Sequence, residues 1–223
     1  MQPFIAQISR DLYIAWQNRQ DVVMVLGFFI IIITLFPLAI GPKSAMLQSL
    51  GIPMIWIAAM LSSLSGFERL FGQDVRDGWL DQISLSALGL GWYAVAKAVS
   101  HWLTTSLPLL LISPILALML NIATTRLPAL IIVLLVGTMA LTLLGVIGSA
   151  LAEGARRSSA LIAILVLPLS VPVLIFGTLA TTTNDGIISP HLMLLGAMLA
   201  LLLAIAPLVA ATALKIGETE SSN

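Results

Sequence analysis

The side chains that could do chemistry are few in this sequence, and they gather in one stretch. Within FERLFGQDVRDGWLDQISLSALGLGWYAVAK, Glu68, Arg69, Asp74, Arg76, Asp77 and Asp81 fall inside 14 residues. Leu80 and Ile83 stand three apart, which sets them on one face of a short helix starting near Asp77, with Gly78 beside its start. Such a helix can dock on a partner. Burying Leu80 and Ile83 in a partner's groove would contribute roughly 1.5–3 kcal/mol per side chain, while the flanking charges set register and exclude wrong partners. The plain alternative is a solvated hairpin that only connects two spans.

Catalysis fails on inventory. The apolar stretches carry no Asp, Glu, Lys or Arg, so a proton relay has no chain of groups to follow. His101, beside Trp102, and His191, after Pro190, read as interfacial or helix-packing histidines. Neither has a second ligand at a spacing that would fix a haem iron, so no metal or haem site is assigned. There is no cysteine, hence no disulfide framework and no thiolate metal site. No G-x-x-x-x-G-K-[ST] string is present to cradle a phosphate, so if ATP drives this protein the hydrolysing subunit is another chain. Ten Lys and Arg balance ten Asp and Glu, which leaves no global field to attract nucleic acid or an acidic substrate.

The elements that position these residues are membrane helices. The hydrophobic fraction is 59%, only 9% of residues are charged and the mean hydropathy is +1.08; soluble domains carry roughly 25% charged residues. Six windows lack Asp, Glu, Lys and Arg: residues 22–42, 44–67, 98–125, 127–152, 158–184 and 186–214. Each exceeds the roughly 20 residues a helix needs to cross a bilayer core. Residues 82–96 are also uncharged, but the stretch is short and rich in Gly and Ser, and it reads as interfacial around Trp92 and Tyr93. The windows are continuously apolar rather than alternating, which favours helices over a barrel. The expected fold is an all-α six-span domain over residues 1–215, with a coupling loop at 68–96 and a polar tail at 216–223.

Six spans put both termini on one side. That side holds Arg10, Arg19, Arg69, Arg76, Lys97, Arg156, Arg157 and Lys215, against Lys43 and Arg126 on the other, and the positive-inside bias places it in the cytoplasm. The short basic loop with Arg156 and Arg157 serves orientation. The N-terminus lacks a small-residue cleavage site after a short apolar core, so it is expected to stay uncleaved. Its first 20 residues set Phe4, Ile8, Leu12 and Trp16 on one face and Gln7, Arg10, Gln17 and Asn18 away from it. This pattern predicts an amphipathic helix along the membrane surface, with a soluble cap on the bundle as the alternative. Pro37, Pro53, Pro108, Pro114, Pro168, Pro172 and Pro207 lie inside the spans and predict kinks. The paired prolines of SLPLLLISPILALML and VLPLSVPVLIFGT suggest mid-membrane breaks or re-entrant tips, or else routine proline usage in membrane helices.

The string Asp77-Gly78-Trp79-Leu80-Asp81-Gln82-Ile83, after an acidic-basic cluster and before Lys97, resembles the inner loop of ABC-2 type exporter permeases. More closely, ITLFPLAIGP (33–42), WIAAMLSSLSGFERLFGQDVRDGWLDQ (56–82), AKAVSHWLTTSLPLLLISPILALML (96–120) and LVLPLSVPVLIFGT (165–178) resemble the CcmB permease family of bacterial cytochrome c maturation. The resemblance implies an inner-membrane permease subunit, dimeric in its complex, paired with a cytoplasmic ABC ATPase subunit and with haem-handling membrane subunits. It implies haem as cargo, or release of a haem-loaded periplasmic chaperone, with ATP bound by the partner and no cofactor held by this chain alone. Glu68, Arg69, Asp74, Arg76, Asp77, Gly78, Leu80, Asp81 and Ile83 are then the partner-coupling residues. Trp16, Trp56, Trp79, Trp92 and Trp102 are scattered and form no tryptophan-rich haem motif. Two other readings fit the same architecture: a scaffold that only organises haem-handling proteins, and an ABC-2 exporter of another amphiphile.

Overall fold

Apolar stretches longer than a bilayer core is thick must satisfy their own backbone hydrogen bonds, and in this chain they do so as helices. The computed structural model describes residues 2–41, 45–155, 160–183 and 189–221. Among them, six segments are long and apolar enough to cross a membrane: Arg19–Ile40, Ala45–Arg76, Gly89–Met119, Thr124–Gly154, Ala160–Thr182 and Pro190–Gly217. The chain is an all-α membrane protein. Lys43, Arg156 and Arg157 of the orientation argument lie outside the described residues, as does the end of the polar tail.

Helix α1 (Gln2–Gln17) precedes the first span, α2 (Arg19–Ile40). The second span is α3 (Ala45–Phe67), followed after a turn by two short helices, α4 (Gly72–Arg76) and α5 (Trp79–Ser84). The third span combines α6 (Gly89–His101), a π-helical turn (Trp102–Ser106) and α7 (Leu107–Met119). Spans four to six are α8 (Leu127–Gly154), α9 (Ala160–Thr182) and α10 (Pro190–Ser221). Helix α8 is the hub, packed against α3, α6, α7, α9 and α10.

Three expectations change. The third span starts at Gly89 rather than residue 98, so 89–96 is transmembrane helix and not an interfacial loop. Lys97 had marked the boundary, but its ammonium is neutralised by two carboxylates and the helix runs straight through it. Helix α9 is uninterrupted across Pro168 and Pro172, and Pro114 lies inside α7, so neither proline pair forms a re-entrant tip. Pro108 does leave a mark, because it has no N–H for the Thr104 carbonyl and its ring crowds that carbonyl. The widened π turn ends two residues before it. Helix α1 turns its polar stripe to the protein: Gln7 and Asp11 are buried, whereas Ile5, Tyr13 and Trp16 are exposed. Phe4, Ile8 and Leu12 are half-buried, with Phe4 edge-on to Trp92.

The core is set by one tryptophan. Trp56 of α3 is fully buried, and a Cβ at Gly137 of α8 or at Gly177 of α9 would collide with its ring. The two glycines let three spans close on an indole.

One end of the bundle collects most of the polar structure. Asp11 of α1 reaches Lys97 of α6; Gly72 of α4 lies against the Glu153 carboxylate at the end of α8; Gly154 lies against Ala213 and Gly217 of α10. Both terminal helices therefore reach the end of the bundle that holds α4–α5.

Candidate partner-coupling site

The segment between the second and third spans folds as a helix–turn–helix because Gly78 sits between α4 and α5 with φ +69°, a left-handed conformation that glycine adopts without steric cost. The turn divides the nine candidate residues into two populations. Glu68, Arg69, Arg76, Asp77 and Asp81 are exposed. Asp74, Leu80 and Ile83 are buried, and Gly78 is between.

Leu80 and Ile83, at 5% and 6% exposure, share a helix face as their spacing predicts, but that face belongs to this chain's own core. They fix α5 to the bundle and are not free to anchor a partner. The exposed apolar side chains of the segment are Val75 and Leu85, the latter 91% exposed. Neither stood out in the sequence, because Leu85 follows the helical repeat rather than belonging to it.

Asp74 is the centre of a buried charge cluster. Its Oδ2 accepts from the Tyr93 hydroxyl at 2.5 Å and pairs with Lys97 Nζ at 2.5 Å, and its Oδ1 accepts from Arg10 Nη2 at 3.0 Å. Asp11 completes the group: its Oδ1 takes Gln7 Nε2 at 3.0 Å, Arg10 Nη1 at 3.2 Å and Lys97 Nζ at 3.3 Å. Two carboxylates and two cations are thus shared among α1, α4 and α6. Helix α5 joins through Trp79, whose Nε1 donates to Gln7 Oε1 at 3.1 Å and whose ring lies 4.1 Å under the Arg10 guanidinium. Burial pushes the Asp11 carboxyl above its ordinary pKa; Lys97 and the Gln7 hydrogen bond oppose the shift, and the charge of Asp74 adds to it.

Gln7, Arg10, Asp11, Trp79, Tyr93 and Lys97 were not among the sequence candidates for this site. Two traces of them stand in the sequence: Lys97 inside an otherwise apolar run, and Gln7 and Asp11 four apart on α1, a spacing that stacks them on one face. Nearer the surface Arg69 pairs with Asp21 of α2, linking the same segment to the first span.

Beside the cluster lies a cavity of about 130 Å³, bounded by α1, α2, the end of α3, α4 and the third span around its π turn. His101 lines it, with its ring against Phe67 and its Nε2 without a partner. The volume is below the roughly 300 Å³ where drug-sized pockets begin, so a porphyrin does not fit inside it. His191 stands at the start of α10, at the opposite end of the bundle, and the two histidines cannot act together.

Comparison with known proteins agrees with this architecture over nearly its whole length. The family model described as CcmB protein matches residues 2–217. Heme exporter protein B of Haemophilus influenzae is 43% identical over 216 residues, covering 96% of this chain and 97% of the relative. The protein of the same name from Pseudomonas aeruginosa is 40% identical over 97% of this chain and 98% of its own length, and that of Escherichia coli K12 is 41% identical over 92% and 94%. With the family model matching residues 2–217 and identity at this level over nearly the full length, the chain belongs to the CcmB family.

Proposed function

We propose that this chain is the membrane permease subunit of an ABC complex for cytochrome c maturation, converting ATP hydrolysis by a cytoplasmic partner subunit into helix movement that exports haem or releases a haem-loaded periplasmic chaperone. The relatives' name, heme exporter protein B, supports haem as the cargo. In this reading the protein sits in the bacterial inner membrane with both termini in the cytoplasm, as a homodimer alongside haem-handling membrane subunits. Six crossings and the gathering of Arg10, Arg19, Arg69, Arg76, Lys97 and Lys215 at the α1 end support that orientation.

The observation that carries the proposal is the division of labour within α4–α5. Its outer surface presents Glu68, Arg76, Asp77, Asp81 and Leu85, while Asp74 on its inner surface is ion-paired to Arg10 of α1 and Lys97 of α6. A soluble subunit gripping the outer face moves the inner face, and the ion pairs pass that movement to the third span. The cavity beside the charge cluster is too small for haem, which supports a cargo route along helix surfaces or between subunits.

Reversing the exposed charges with Asp77→Lys and Asp81→Lys together tests this reading. Both side chains are solvent-facing, so the fold is expected to survive while co-purification of the ATPase subunit falls about tenfold or more, as expected for opposing like charges at an interface. Normal assembly and normal haem-dependent ATPase activity in that variant would contradict it.

A further inference from the structure

The cavity beside the charge cluster has a hydrogen-bonding character that the coupling reading does not use. Asp11 lines it and is 9% exposed; all three of its protein donors go to Oδ1, and the buried Oδ2 has none. Across the cavity the hydroxyls of Ser65, Ser100, Thr104 and Thr105 all donate to backbone carbonyls of their own helices. Their protons are committed and their oxygen lone pairs remain. This side of the cavity therefore offers acceptors and asks for donors, while Arg69 lines it as a donor.

Charge narrows the ligand further. Asp11, Asp21 and Asp74 line the cavity against Arg69 and Lys97, and Arg10 completes the balance by reaching Asp11 and Asp74 from outside the lining. A guest must then be neutral or carry its own counter-charge. The volume suits a short polar arm. Val22, Met24 and Val25 of the first span, with Ile14, Ala15 and Leu70, form the apolar part of the lining, and α1 flanks it with exposed Ile5, Tyr13 and Trp16, a pattern suited to a helix along a membrane surface.

We infer that this cavity binds the primary ammonium of a phosphoethanolamine-type zwitterion, with the ammonium on Asp11 and the phosphate on Arg69. Three N–H groups of an ammonium match the free Oδ2 and the hydroxyl lone pairs. Arg69, half-exposed and using part of its five-donor fork on Asp21, has N–H groups left for a phosphate oxygen. An ammonium at Oδ2 also offsets the desolvation that raises the Asp11 pKa. A quaternary trimethylammonium has no N–H and cannot make these bonds.

Native mass spectrometry of the full chain, released from bilayers of equal phosphatidylethanolamine and phosphatidylcholine, tests the inference. The expected result is one phosphatidylethanolamine retained at least tenfold over phosphatidylcholine. Asp11→Asn should lower that retention about tenfold, the loss expected for one charge-assisted hydrogen bond. Thr104→Val, which leaves the ion pairs of Asp11 and Asp74 with Arg10 and Lys97 untouched, should lower it severalfold with unchanged thermal unfolding. Binding of free phosphoethanolamine without retained lipid would keep the ammonium site and place its source in solution. Equal retention of the two lipids, retention unaffected by both variants, or no binding of either lipid or phosphoethanolamine would overturn it.

Discussion

Asp74 and Asp11 sit in one cluster yet respond to opposite demands. Asp74 is 2% exposed and holds Lys97, Arg10 and Tyr93 at once, so Asp74→Asn leaves two partly buried cations short of their counter-charge. Breaking a buried pair in this way costs about 3–5 kcal/mol, which thermal unfolding in detergent should register as a large drop in midpoint. Asp11→Asn should cost much less, because the carboxylate is held against a desolvation penalty. The pH dependence separates the two further. A carboxyl raised above its unfolded value contributes stability that is present below about pH 3.9 and lost as pH rises through its folded pKa. Asp11→Asn should therefore compare most favourably with the wild type at neutral pH, and that advantage should shrink as the pH is lowered towards 4. A gap that widens on acidification would contradict the burial argument. The sequence grouped Asp74 with Asp77 and Asp81 because linear spacing cannot tell which carboxylate a five-residue helix turns inward. That depended on Arg10 and Lys97, which lie 64 residues before it and 23 residues after it.

At the scale of elements, the spans were legible because charge-free runs longer than a bilayer core have no other stable form. Their ends were less so. The third span was cut short at Lys97 because a charge normally closes a span, and only the tertiary pairing with Asp74 and Asp11 overrides that rule. The helix–turn–helix of α4 and α5 was half visible: the face shared by Leu80 and Ile83 is real, but its covering is internal. Two substitutions test how these elements are held. Gly78 has open space around a Cβ, so Gly78→Ala should cost only the left-handed backbone term, about 1–2 kcal/mol, and change the angle between α4 and α5 rather than the bundle. Gly177→Ala drives a methyl into the Trp56 ring and should cost about 1–3 kcal/mol by overpacking. Adding Trp56→Phe should relieve part of that cost. Additive losses in the double variant would show that the indole is not what the glycine accommodates.

Across the whole molecule, the six-helix bundle separates a quiet end from a charged one. The quiet end has His191 and the turn around Arg126; the charged end has α1, α4–α5, the end of α8 and the end of α10. Under the proposed function, a soluble subunit docks at that charged end, on the outward face of α4–α5. Leu85, the most exposed apolar side chain of the segment, is the position at which that docking is most directly tested. The sequence has no cysteine, so Leu85→Cys introduces a single thiol into this chain. Labelling that thiol with a membrane-impermeant maleimide, in membranes carrying the complete complex and again after the ATPase subunit is stripped away, measures the claim directly. The account expects reaction only from the cytoplasmic side, and at least tenfold slower while the ATPase subunit is bound. Reaction from the periplasmic side, or equal rates with and without that subunit, would contradict it.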